Sequence, residues 1–129
     1  MLTISKQKAQ AVIKQVAEAW KIPKSRWPDI VWLKNNASYC PGFFSPYVPR
    51  KQKSKIGICD NCGANQMVVL LHELSHWVSF EQTGVAPHDD DFWHRTENLY
   101  RIYRITPAEA RATEKRGYPS EWKGLKSWE

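Results

Sequence analysis

The chain has 129 residues, 42% of them hydrophobic and 25% charged, with a formal net charge of +6. That length fits one domain around one core, and the balance excludes a disordered chain. Three cysteines argue against a paired disulfide framework, and no run approaches the ~20 consecutive apolar residues of a membrane span.

The opening residues, MLTISKQKAQAVIKQV, carry no apolar signal region and no small-residue cleavage site, so a cytoplasmic protein is expected. Residues 3–20 predict an amphipathic helix, with Val12, Ile13, Val16 and Trp20 at helical spacing. Pro23 and Pro28 bracket the connection that follows. Ile30 to Leu33 predicts a first strand, with a turn signal at Asn35-Asn36. Ser38 to Phe44 predicts a second strand, interrupted or placed at an edge by Pro41-Gly42, and Lys55 to Cys59 a third. A small, mostly antiparallel sheet is the economical arrangement. Ala64 to Phe80 is apolar on most sides and predicts a buried helix, broken at Thr83-Gly84 and Pro87. A second helix is expected from about Asp89 to Arg104. A last one opens on the capping box Thr106-Pro107-Ala108-Glu109 and ends near Gly117. The fold expected is α+β in a single domain, residues 1–129, with a C-terminal helix and tail at 106–129.

All four histidines of the chain lie between Val68 and His94. His72, Glu73 and His76 form H-E-x-x-H on the predicted buried helix. Residues i and i+4 are about 40° apart around a helix axis, so both imidazoles can aim at one point. Glu73, about 100° further round, is poorly placed as a third ligand but well placed to reach water at a metal. Two histidines and a glutamate on a buried helix are costly without partners, and a metal satisfies the histidines. Imidazole ligands suit zinc, and a catalytic zinc takes three protein ligands. Glu73 would then be the general base of a metal-dependent peptide hydrolase.

Several residues can complete the ligand set: His88, twelve residues beyond His76, then Asp89, Asp90, Asp91, His94 and Glu97. The three aspartates stand in the first turn of the next helix. Asp89 and Asp90 are expected to cap it and complement its dipole. Asp91, three residues after His88, is placed to hydrogen-bond a ligand imidazole. His94 is expected on the surface or paired with Asp90 at i+4 spacing.

HELSH followed by HDDDFW resembles the signature of zincin metallopeptidases as found in SprT-like proteins and related small bacterial and phage metallopeptidases. The resemblance covers roughly residues 29–104. It implies a zincin-like fold, an N-terminal helix and small sheet before the H-E-x-x-H helix, and then a second ligand-bearing helix. It matches His72 and His76 to the paired ligands, Glu73 to the catalytic glutamate, His88 to the third ligand and Phe92 to the aromatic that packs the second helix. Asp89 stands where that pattern usually has Gly. A gluzincin-like arrangement would use Glu97 in place of His88. A peptide substrate would lie extended along an edge strand of the sheet. Tyr39, Tyr100 and Tyr103 are candidates to stabilise the oxyanion.

Two other function classes compete. One is a zinc-binding interaction module without catalysis, against which the intact Glu73 argues. The other is a nucleic-acid-associated protease acting on DNA-bound proteins, as the SprT resemblance implies; the net charge and the basic run Pro49 to Lys55 permit such contact. Cys59-Asp60-Asn61-Cys62 is a C-x-x-C with Cys40 upstream. Three thiols fall short of a four-ligand structural zinc, so free thiols are expected. Nothing in the sequence demands an oligomer, and a monomer is the default.

Overall fold

A computed structural model describes residues 3–33, 42–46, 53–60 and 65–113. The first helix, α1 (Lys6–Ala19), starts where the Ser5 side chain accepts from the Lys8 amide at 3.0 Å. Its buried stripe is Ala9, Val12, Ile13, Val16 and Ala17, the period expected of a helix laid on a core. Trp20 caps its end, Lys21 turns left-handed (φ 57°), and the Ile22 amide donates to the Ala17 carbonyl. A single 3-10 turn, Lys24–Arg26, fills the space between Pro23 and Pro28.

Three strands follow: β1 (Asp29–Leu33), β2 (Gly42–Ser45) and β3 (Lys55–Cys59). Their order is β1-β3-β2. β3 is central, which explains why Ile56, Gly57, Ile58 and Cys59 are all buried while β1 is only half covered. β2 pairs with β3 antiparallel, Gly42 opposite Ile58 and Ser45 opposite Lys55. β1 pairs with β3 parallel, Asp29 opposite Lys55 and Leu33 opposite Cys59. The sheet is therefore mixed, which corrects the expectation of a mostly antiparallel one. The first two strands do not form a hairpin; β3 lies between them. Residues 34–54 provide the long return that a parallel pair requires. The turn expected at Asn35-Asn36 lies outside the described residues.

Two glycines set how closely the layers approach. A Cβ at Gly57 would lie 2.2 Å from the Phe43 ring, and one at Gly42 would lie 2.4 Å from Val69 Cγ1 and 2.6 Å from the Gly57 carbonyl oxygen. β2 is thus pressed between β3 and the following helix.

That helix, α2 (Gln66–Thr83), is buried on most of its circumference. Val68, Leu70, Leu71, Leu74, Trp77 and Val78 are fully or almost fully enclosed. Its start is tied to distant chain. The Gln66 side chain accepts from the Ile4 amide at 2.8 Å and donates to the Cys59 carbonyl at 3.1 Å. The Asn65 side chain caps α2 through the Val68 amide (3.2 Å) and donates to Glu109 (3.3 Å). At the other end Arg26 holds Glu81 with both Nε and Nη2.

Gly84 ends α2 in the left-handed region (φ 81°). The chain then turns back into α3 (Asp90–Ile102) and α4 (Pro107–Thr113). The capping box before α4 forms as expected: Thr106 and Glu109 exchange amide-to-side-chain hydrogen bonds of 2.9 and 3.1 Å. Residues 114–129, including the expected end of that helix near Gly117, lie outside the described residues. The core gathers side chains from α1, β3, α2, α3 and α4, reaching beyond residues 29–104 at both ends. No described helix is long and apolar enough to cross a membrane.

Candidate metal centre

The site starts where the buried α2 carries ionisable side chains. His76 is buried, Glu73 is buried and His72 is half-buried, all on one helix. Gly84 turns the chain, and the loop that follows brings His88 back over this face. The Nε2 of His88 lies 3.0 Å from that of His76 and 3.3 Å from that of His72. Among the described residues these three form the group able to hold a metal ion.

Hydrogen bonding alone does not explain this convergence. An imidazole Nε2 carries either one proton or one in-plane lone pair. His88 Nε2 can therefore hydrogen-bond to only one of its two close neighbours at a time. One ion shared among them could hold all three rings. Two nitrogens each about 2.05 Å from a tetrahedral ion such as zinc lie about 3.3 Å apart; the His88–His72 separation of 3.3 Å equals that edge and the His88–His76 separation of 3.0 Å is shorter.

Electrostatics favour the neutral form of His76. The His76 pKa is lowered from 6.5 to about 3, first by burial and then by the neighbouring His72 and His88; the Ala86 backbone pulls the other way and Arg95 adds to the lowering. A neutral ring offers its lone pair. His76 Nδ1 is itself buried without a hydrogen bond of good geometry.

Aromatic rings fix the imidazoles. Phe92, fully buried, stacks on His76 with centroids 4.3 Å apart, and meets His88 and His72 edge-on at 4.9 and 5.0 Å. Trp93 stacks on His88 at 5.7 Å. From the sheet, Phe44 of β2 stacks near His76 at 6.4 Å. Gly42 belongs to the same strand, and a Cβ there would lie 3.7 Å from Glu73 Oε2. The glutamate thus faces the edge strand β2, and among the described residues no strand pairs with that strand's other side.

Comparison with family models, curated proteins and solved structures finds no match. What the site does is therefore argued from its own geometry.

Glu97, the alternative third ligand, is not brought to the histidines; it pairs with Arg101 at 3.4 Å on the same helix. Asp89 caps α3 by accepting from the Phe92 amide at 2.9 Å, as expected. Asp91 is exposed and makes no hydrogen bond to a ligand imidazole; its charge acts on Arg95 instead. His94 is exposed. Tyr100 is fully buried in the core, and the Tyr103 hydroxyl donates to Gln15 of α1, so neither serves as an oxyanion group. Tyr39, Cys40 and Cys62 lie outside the described residues, and Cys59 is a buried free thiol.

Two features escaped the sequence. Arg95 joins α3 to α2, donating from Nη1 to the Ser75 carbonyl (3.3 Å) and to the Ser79 hydroxyl (2.6 Å). Ser75 and Ser79, small polar residues four apart on a buried helix, were the available signal. Elsewhere, a pocket of about 400 Å³ between α1 and the start of β1 is lined by Lys14, Lys24, Lys53, Trp27 and Asp29. Of the basic run Pro49 to Lys55, Lys53 lines this pocket and Lys55 opens β3.

Proposed function

We propose that the protein is a zinc-dependent metallopeptidase of zincin type. The observation that carries this reading is the meeting of three imidazole Nε2 atoms from two chain segments, with a buried carboxylate on the same helix. The donor set fits zinc: three imidazole nitrogens within 4.8 Å of one another, on residues of a type that zinc favours. A zinc ion held by His72, His76 and His88 would supply Lewis acidity toward a peptide carbonyl and would acidify water.

The chain's own groups perform the rest. Glu73, on the next position of the same helix, takes the proton of the attacking water on a carboxylate oxygen and returns it to the leaving amine nitrogen. Rigid placement comes from α2, whose neighbours are packed on nearly every side. Phe92 and Trp93 hold the imidazole planes. An extended peptide would run along β2, an edge strand among the described residues, past Glu73.

The test is Glu73→Gln. The variant should bind zinc with wild-type stoichiometry and lose cleavage of a mixed peptide library by about 10²–10⁴-fold. Cleavage retained by Glu73→Gln contradicts the mechanism. Zinc binding without cleavage by the wild type would instead favour a non-catalytic zinc module.

The lysine-lined pocket favours a second reading, contact with nucleic acid. Three ammonium groups against one carboxylate around a tryptophan suit a phosphate backbone. Binding of a short duplex or single strand that weakens steeply with salt, and weakens further in Lys14→Ala/Lys24→Ala, is expected. Binding that ignores both changes removes this reading.

A further inference from the structure

His88 is exposed and stands on the loop between α2 and α3, the least buttressed position of the three histidines. Apolar contacts with Phe92 and Trp93 hold its ring from one side. A polar clasp ties the helix that follows it to α2. Arg95, one turn into α3, bonds the Ser75 carbonyl and the Ser79 hydroxyl, which stand one residue before and three residues after His76. The same guanidinium attracts Asp89 and Asp91, which stand one and three residues after His88. One side chain therefore touches the segment that carries one histidine and draws on the segment that carries another. Burial makes this guanidinium harder to charge, and the two aspartates oppose that effect. A charge held in so enclosed a place is costly unless its bonds are made.

We infer that Arg95 is a positioning residue that clasps the start of α3, and with it His88, against the stretch of α2 bearing His76. This rests on the metal reading of the three histidines. Its function is to set the Nε2–Nε2 spacing before any ion arrives, so that a metal meets three ligands already aimed. Ligand geometry must hold to about 0.5 Å for such preorganisation. The clasp also runs against simple electrostatics. A fixed positive charge near His76 repels a cation, so a merely electrostatic effect of removing it would tighten metal binding.

The test compares wild type with Arg95→Met, Arg95→Lys and Ser79→Ala, using zinc affinity by chelator competition and the visible spectrum of the cobalt(II)-loaded protein. Partners that orient metal ligands are worth about 10–100-fold in affinity. Arg95→Met should lose zinc affinity in that range, and its cobalt band should weaken as a four-coordinate site becomes five- or six-coordinate. Arg95→Lys should recover part of both, and Ser79→Ala should show a smaller loss of the same sign. If Arg95→Met fails to fold, Ser79→Ala and Arg95→Lys decide by the same two readouts. Affinity in Arg95→Met that is unchanged or tighter, with an unaltered cobalt band, overturns the inference while leaving the metal reading intact. A wild type that takes up no zinc overturns the metal reading itself.

Discussion

Phe92→Ala should uncouple the metal site from its scaffold. Phe92 is fully buried and touches the rings of His76, His88 and His72. Two separate magnitudes follow. A phenylalanine buries at least about 150 Å², which at about 25 cal/mol/Å² corresponds to about 4 kcal/mol. This agrees with the ~3–5 kcal/mol typical of Phe→Ala in a core. The second magnitude concerns the metal. Ordering a freed side chain costs about 0.5–1.5 kcal/mol. Three loosened imidazoles therefore weaken zinc by at least about 1.5 kcal/mol, or roughly tenfold. Urea unfolding of the chelator-treated protein measures the first, and competition for zinc measures the second. Phe92→Leu keeps most of the volume and should retain stability better than it retains affinity, because a branched aliphatic side chain cannot stack on His76. Metal-free Phe92→Ala within about 1 kcal/mol of wild type would refute the packing argument. A normal loss of stability with unchanged zinc affinity would refute the claim that Phe92 aims the ligands.

Three further outcomes are expected. His76 titrates at about 3 in the folded chain, against 6.5 in the unfolded one. Unfolded chain therefore binds more protons between those values, so metal-free stability is full above about pH 6.5 and declines as pH falls toward 3. Urea midpoints across that window should show the decline, and His76→Gln should make it shallower; an equally steep slope in the variant contradicts the assignment. Gly84→Ala meets open space but a positive φ, so it should cost about 1 kcal/mol through the backbone alone, and a stabilised variant argues against the left-handed cap. Gln66→Leu strips partners from the Ile4 amide and the Cys59 carbonyl. It should cost about 1–3 kcal/mol and speed hydrogen exchange at Ile4, and unchanged exchange there would rule out the link.

What could be read from the sequence was set by the distance over which each feature is encoded. His72, Glu73 and His76 share one helix, so their common aim follows from helical period alone. The caps at Asp89 and at Thr106–Glu109 are equally local, and both form. His88 required the chain to turn at Gly84 and return, which spacing permits but does not compel. The parallel pairing of β1 with β3 depends on residues 34–54 and on what packs against the sheet, so strand patterns did not reveal it. Arg95 resembles any surface arginine until α3 docks on α2. Phenols are chemically suitable as oxyanion groups, but the core takes Tyr100 and α1 takes the Tyr103 hydroxyl. Asp91 stands in the first turn of α3 while His88 stands on the loop before it, so sequence separation alone does not bring the two side chains together.

The central claim is that His72, His76 and His88 together hold zinc. Zinc content after dialysis, measured side by side for wild type, His88→Ala and Glu97→Ala, tests it most directly. One equivalent in wild type and in Glu97→Ala, with zinc lost from His88→Ala, is the predicted result. Zinc retained by His88→Ala and lost from Glu97→Ala would contradict it.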